Sequence, residues 1–250
     1  MRKVLGVNVA VSNYDEVVEK SVLWAKQGES RAIFFAAVHM LMETHDRPSF
    51  CSEMNDRASL NPDGMPLVWA LWALGERDAT RIYGPDATER LLQASQDSDI
   101  PVGFLGGSQS TLNSLVAEVQ RRYPTLKIVY TLSPPFRPLQ PAEDEEIVRQ
   151  ISESGARMLF VGLGCPKQEQ WIMAHLGQIP AVMLGVGAAF DFLAGTKKQA
   201  PRWMMRNGLE WVYRFASEPR RLGGRYLKHN PRFIALFFRQ WLTEHGSRAE

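Results

Sequence analysis

Met158-Leu159-Phe160-Val161-Gly162-Leu163-Gly164-Cys165-Pro166-Lys167-Gln168-Glu169 decides the fold: an unbroken apolar run, a glycine-rich turn, then a polar stretch at helical spacing. An apolar run without alternation fits a strand covered on both faces, as in parallel sheets. Pro166 suits the start of the helix that follows, Lys167 to His175. The same unit recurs on either side. Val102–Leu105 leads through Gly106-Gly107-Ser108 into a helix from Thr111 to Tyr123, and Ala181–Leu184 leads into Gly185-Val186-Gly187. A strand at Lys127–Thr131 and a helix at about Ala142–Ser154 lie between the first two units. Upstream, Val4–Val9 and Ala32–Ala36 read as strands, separated by a helix from about Tyr14 to Gln27 that Ser12/Asn13 open and Gly28 closes. Helices at Met40–His45 and Pro48–Arg57, a turn over Asn61–Pro66 and a helix through Leu67–Leu74 complete this half. The alternation implies an α/β fold: a Rossmann-like parallel sheet with helices on both faces, its ligands at the carboxyl ends of the strands.

The chain has 250 residues, 45% of them hydrophobic and 22% charged, which excludes a disordered chain and allows a full core. Its net charge of +2 hides a division. Residues 196–250 carry twelve Lys/Arg against four acids, +8 in all, leaving −6 on residues 1–195. The same segment drops the strand–helix rhythm and reads as helices only: Trp203–Ala216, a bend at Glu218-Pro219, a basic stretch to Lys228 and a helix from Pro231 to Glu244. Residues 1–195 therefore form an α/β domain and residues 196–250 an all-helical basic appendage.

A basic appendage on an acidic body points to an anionic partner: a membrane, a nucleic acid or a phosphorylated substrate. Ile234, Phe237, Phe238, Trp241 and Leu242 make one helical face, preceded by Arg220, Arg221, Arg225 and Lys228. That pattern fits a helix lying on anionic lipid, or one packed on the core or on a second copy of the chain. Aromatics confined to a helical face, and an acidic body, count against nucleic acid. Two cysteines, Cys51 and Cys165, exclude a disulfide scaffold and point to a reducing cytosol. No apolar run approaches the ~20 residues of a membrane span, and Met1-Arg2-Lys3 with Val4–Ala10 is too short and interrupted for a signal peptide.

Each glycine-rich turn is either a packing device or a place where a phosphate meets unpaired N–H groups at the positive end of a helix. Three in succession, carrying Gly106, Gly107, Gly164 and Gly187, favour a nucleotide or sugar nucleotide. Gly162-Leu163-Gly164 lacks the third glycine of the dinucleotide pattern, which counts against a nicotinamide enzyme. Gln168, in the first turn of its helix, is placed to hydrogen-bond such a ligand. Asp63 stands in a Pro-Asp-Gly turn, where Asp and Gly belong on conformational grounds alone. It is equally placed to act as a general base at a strand end. Asp191, flanked by apolar residues, needs a partner such as Arg or a backbone N–H, and a structural role accounts for it as well as a functional one. The five His have no ligand spacing, and Asp97-Ser98-Asp99 stands at a helix end ahead of a strand instead of after one, so it reads as a solvated loop and no metal is expected.

Asn61–Pro66, Val161–Glu169, Gly185–Phe192 and Gly208-Leu209-Glu210-Trp211 with Arg214 and Glu218-Pro219-Arg220-Arg221 resemble, in order, the motifs of the WecG/TagA/CpsF family of bacterial glycosyltransferases. The resemblance runs from about Val4 to Phe238. It implies an inverting, metal-independent enzyme that moves a sugar, of the N-acetylmannosamine type or a related hexose, from a UDP-sugar to a polyprenyl-diphosphate-linked sugar. It also implies a peripheral protein on the cytoplasmic face of the membrane. In that family the Asp of the Pro-Asp-Gly motif is the base, here Asp63. Gln168, Arg81 ahead of Gly84-Pro85-Asp86, and His39 fall on its active-site positions, and Arg214, Arg221 and Arg225 on those that meet the substrate diphosphate and the membrane. Two positions depart from the pattern: Ala37 stands where the family carries Asn, and Gly224 where a further basic residue is common. The alternative is a non-catalytic nucleotide-sugar-binding protein, with Ala37 the mark of a decayed site.

Overall fold

The structure is a computed structural model that describes residues 1–246, Arg221 and Gly246 by their backbone alone. In chain order the first elements are β1 (Arg2–Val4), β2 (Val7–Val9), α1 (Tyr14–Gln27), β3 (Arg31–Ala36), α2 (Val38–His45), α3 (Pro48–Arg57), β4 (Ala58–Pro62) and α4 (Met65–Ala73). There follow α5 (Gly84–Asp97), β5 (Val102–Gly106), α6 (Gln109–Arg122), β6 (Ile128–Leu132), α7 (Pro141–Ser154), β7 (Met158–Gly162), α8 (Lys167–Ala174) and β8 (Val182–Gly185). The last are α9 (Ala189–Leu193), α10 (Arg202–Arg206), α11 (Glu210–Ser217) and α12 (Pro219–Gly246).

Six strands form one sheet in the order β4-β3-β8-β7-β5-β6, a Rossmann-like parallel arrangement with helices around it. Two compact units divide the chain: Tyr14–Phe34 with Gly84–Lys198, and Met1–Asn13 with Phe35–Tyr83 and Gln199–Glu250. In the first unit β7 is central, with Met158 opposite Val182 of β8 on one side and Val102 of β5 on the other. Phe104, Phe160 and Leu184 are fully buried, as expected for strands covered on both faces. Phe104 stacks on Phe160 at 5.5 Å and meets Phe190 of α9 edge-on at 5.8 Å. β6, the edge strand, alternates between half-buried and exposed residues. α7 opens with a capping box between Gln140 and Glu143 and closes at Gly155 in the left-handed conformation.

In the second unit the stretch Val4–Val9 is not one strand. β1 and β2 pair antiparallel around Leu5 and Gly6, both at positive φ (50° and 83°), the twist a two-residue hairpin demands. Strand β4 also extends through Asn61 and Pro62, expected as turn, so that Asp63 follows directly on a strand end. The tail differs from expectation as well. Trp203–Ala216 is two short helices, and α12 runs unbroken through Pro231 instead of beginning there. Tertiary contacts on either side offset the proline's lost hydrogen bond. Arg232 forks onto Asp46 at 2.8 Å, His229 Nε2 lies 3.4 Å from Glu43, and Gln240 accepts from the Leu5 N–H at 2.8 Å. Burial holds the His229 imidazole's pKa below its ordinary value, with Lys228 acting in the same sense. Among the described residues no helix is long and apolar enough to cross a membrane.

Candidate active site

The segment after β4 places Asp63. Its N–H donates to the Ala36 carbonyl at the end of β3 at 2.9 Å, which ties the Pro-Asp-Gly turn to the carboxyl ends of two strands. Ala37, the residue before α2, stands beside the turn: a Cβ on Gly64 would lie 3.6 Å from its Cα. His39 is half-buried in the first turn of α2. Ala37 is the N-cap of that helix and makes no side-chain cap, a bond that Asn would supply.

Arg81, eight residues beyond the end of α4 and just before α5, spans this region. Its Nη2 donates to Asp63 Oδ1 at 3.1 Å and also to Glu210 Oε2, its Nε to the Asp63 carbonyl, and its Nη1 to the Met205 carbonyl at 3.4 Å. The Tyr83 ring lies under the guanidinium at 4.4 Å. Side-chain exposures of 15% for Arg81, 20% for Asp63 and 12% for Glu210 show a cluster partly withdrawn from water. Burial works against the Arg81 charge, but the carboxylates of Asp63 and Glu210 outweigh it and hold the pKa above its ordinary value. Burial, then the same two carboxylates, keep the Tyr83 phenol protonated well past its usual range. Arg214 joins from α11, Nη1 3.8 Å from Glu210 Oε1. Glu210 reaches the cluster through Gly208, whose φ of +70° strains any other residue; a Cβ there would lie 2.7 Å from the Trp69 ring, so a side chain has no space.

The other unit gathers the glycine turns. Gly106 has φ +126°, and a Cβ there would meet the Gly162 carbonyl carbon and oxygen at 2.5 Å, so the ends of β5 and β7 touch backbone to backbone. Gly107 donates its N–H to the Gly162 carbonyl at 3.2 Å, and the Phe190 ring covers Gly162. Gln168 is buried, its Oε1 accepting from the Gly164 N–H at 3.2 Å and its Nε2 donating to Glu169 at 2.9 Å. The same amide lies 3.6 Å from a Cβ placed on Gly187, so Gln168 touches both the β7 and β8 turns. Asp191 pairs with Lys197 at 3.0 Å and takes a hydrogen bond from the Thr196 hydroxyl.

Asp63, Arg81 and Arg214 thus come together in one unit, with His39 on the adjoining helix, while Gly106, Gly107, Gly164, Gln168 and Gly187 come together in the other. Arg225 lies half-buried on α12, apart from the described contacts of the Asp63 cluster, and the Arg221 side chain lies outside the described residues. Sequence reasoning misses Glu210 and Tyr83 as functional residues. Glu210 lies in the Gly208–Trp211 motif, and a carboxylate amid a basic, aromatic tail is the signal that could have found it. Asp99 pairs with Lys127 at 2.6 Å on the surface, a solvated loop as expected. Among the described residues no three His, Cys, Asp or Glu side chains are grouped to hold a metal ion.

The family model described as Glycosyl transferase WecG/TagA/CpsF family matches residues 2–247. The chain is also 28% identical over 236 residues to an N-acetylglucosaminyldiphosphoundecaprenol N-acetyl-beta-D-mannosaminyltransferase of Staphylococcus aureus strain MW2, covering 92% of this chain and 89% of that protein. The protein of the same name from strain MRSA252 shows the same identity and coverage.

Proposed function

Because the chain belongs to the WecG/TagA/CpsF family of glycosyltransferases, we propose that it transfers an N-acetylmannosamine-type sugar from a UDP-sugar to a polyprenyl-diphosphate-linked N-acetylglucosamine, with inversion and without a metal. The acceptor class is the one in the names of the Staphylococcus aureus relatives. The observation that carries the reading is the Asp63 carboxylate, held by Arg81 at a strand's carboxyl end and still 20% exposed.

Asp63 takes the proton of the acceptor-sugar hydroxyl as that oxygen attacks the anomeric carbon of the donor. The bond from that carbon to the diphosphate breaks, its electron pair leaves with UDP, and attack from the opposite face inverts the centre. The glycine turns at Gly106-Gly107, Gly164 and Gly187, braced by Gln168, hold the nucleotide through backbone N–H groups. Arg214, Arg221 and Arg225 stabilise diphosphate charge in the role a metal ion plays elsewhere. Residues 196–250 act as the appendage that rests on anionic lipid at the cytoplasmic membrane face. Leu227, Ile234, Phe238 and Leu242 make an exposed apolar stripe along α12, with Trp203 and Trp211 exposed nearby in sequence, and this supports membrane contact.

Asp63→Asn tests the base. With UDP-N-acetylmannosamine and a short-chain prenyl-diphosphate N-acetylglucosamine as substrates, transfer falls by roughly 10²–10⁴ while UDP still binds. Transfer at more than a tenth of the wild-type rate refutes the assignment, and activity lost to EDTA and restored by a divalent cation refutes metal independence.

A further inference from the structure

We propose that Glu210 is a positioning residue for this transfer: by sharing the Arg81 guanidinium it keeps Asp63 basic enough to accept the acceptor's proton. The inference rests on the reading of Asp63 as the base. A carboxylate that has an arginine to itself is a weak base, since the cation stabilises the ionised form. Arg81 cannot relieve this by turning away. Its Nε is bonded to the Asp63 carbonyl, its Nη1 to the Met205 carbonyl, and the Tyr83 ring lies beneath it at 4.4 Å. What tempers the pairing is that Nη2 serves two carboxylates at once, Asp63 and Glu210. The Glu210 charge opposes that of Arg81 at Asp63, in a pocket that water reaches only in part, and so raises the proton affinity of Asp63.

The surroundings fit this role. Arg81 and Tyr83 face Asp63 from the segment before α5, Glu210 shares Arg81 from α11 with Arg214 beyond it, α10 carries Arg202 and Arg206 on either side of Met205, and His39 stands at the start of α2. Helix α4 carries no titratable residue. Arg214 lies farther from Glu210 than Arg81 does, Nη1 3.8 Å from Oε1, so it offsets only part of the Glu210 charge. Glu210 is also the first residue of α11, where the helix dipole favours its negative charge. Gly208 sets the chain so that this residue arrives at Arg81, because the contact with Trp69 excludes a side chain there.

Glu210→Gln tests the proposal in the full-length protein. The amide still accepts a hydrogen bond from Arg81 but carries no charge, so the fold is retained and the unfolding midpoint checks it. In a profile of kcat/KM against pH, with the same two substrates, the acid limb shifts down by about one pH unit as Arg81 acts on Asp63 alone. The plateau falls about tenfold because the base is weaker. Glu210→Asp keeps the charge and keeps the limb at its wild-type position. An acid limb that stays in place in Glu210→Gln, whatever the plateau does, overturns the proposal, as does a limb that moves equally in Glu210→Asp. Failure of the underlying reading shows elsewhere, as transfer that survives Asp63→Asn.

Discussion

Arg81→Met takes the cation out of the Asp63–Glu210 cluster while keeping an unbranched side chain over the Tyr83 ring. The wild-type guanidinium serves four acceptors, two carboxylates and the carbonyls of Asp63 and Met205. Removing one partner of a buried ion pair costs about 3–5 kcal/mol, because the remaining charge is stranded. Asp63 and Glu210 are 20% and 12% exposed, so water recovers part of that loss and about 2–4 kcal/mol remains at neutral pH. For a chain of this size each kcal/mol lowers the unfolding midpoint by about 2–4 °C, so the variant melts roughly 5–15 °C below wild type. The pH dependence has a definite sign. Without the cation, two neighbouring carboxylates hold a proton to higher pH in the folded chain than in the unfolded one. The folded variant then binds more protons, so its deficit is full near pH 8 and shrinks as the pH falls towards 5. Thermal unfolding at pH 8 and pH 5 reads both effects. A variant within 2 °C of wild type at pH 8, or one whose deficit grows on acidification, refutes the electrostatic account of this cluster.

Two further substitutions probe the turns. Gly106→Ala places a Cβ 2.5 Å from the Gly162 carbonyl at a φ of +126°, and the combined strain costs about 3 kcal/mol or more, read as a fall in the denaturation midpoint; an unchanged midpoint is incompatible with the backbone contact. Ala37→Asn restores a cap to α2, which at present has none, and stabilises the protein by about 1 kcal/mol, a rise of about 2–4 °C in thermal unfolding; a fall places the loss of Asn outside helix capping.

How far the sequence reveals this structure depends on the range of the interaction involved. β5, β7 and β8 are legible because a strand covered on both faces must be apolar at every position, and Phe104, Phe160 and Leu184 are indeed fully buried. The turns after them are legible because only glycine tolerates the approach seen at Gly106. By contrast, only the end of α5, before Ile100, is read, although Ala87, Leu91, Leu92 and Ser95 give the helix a buried stripe at helical spacing. There the signal is present, and Gly84-Pro85 at its start obscures it. Asp63 shows itself by its turn, but its pairing with Arg81 and Glu210 joins segments 18 and 129 residues from Arg81, which no local periodicity encodes.

Charge in the tail shows the same limit more sharply. Counted along the sequence, residues 196–250 carry +8, as if the whole excess stood ready for an anionic partner. In the fold, part of it is already engaged. Arg232 is forked onto Asp46, and Lys228 lies 3.7 Å from Glu43. These two cations hold α12 against α2, so an anionic partner would meet less than the count suggests. The absent basic residue at Gly224 therefore weighs more on such a surface than one charge in twelve, because the pool it would have joined is smaller than twelve.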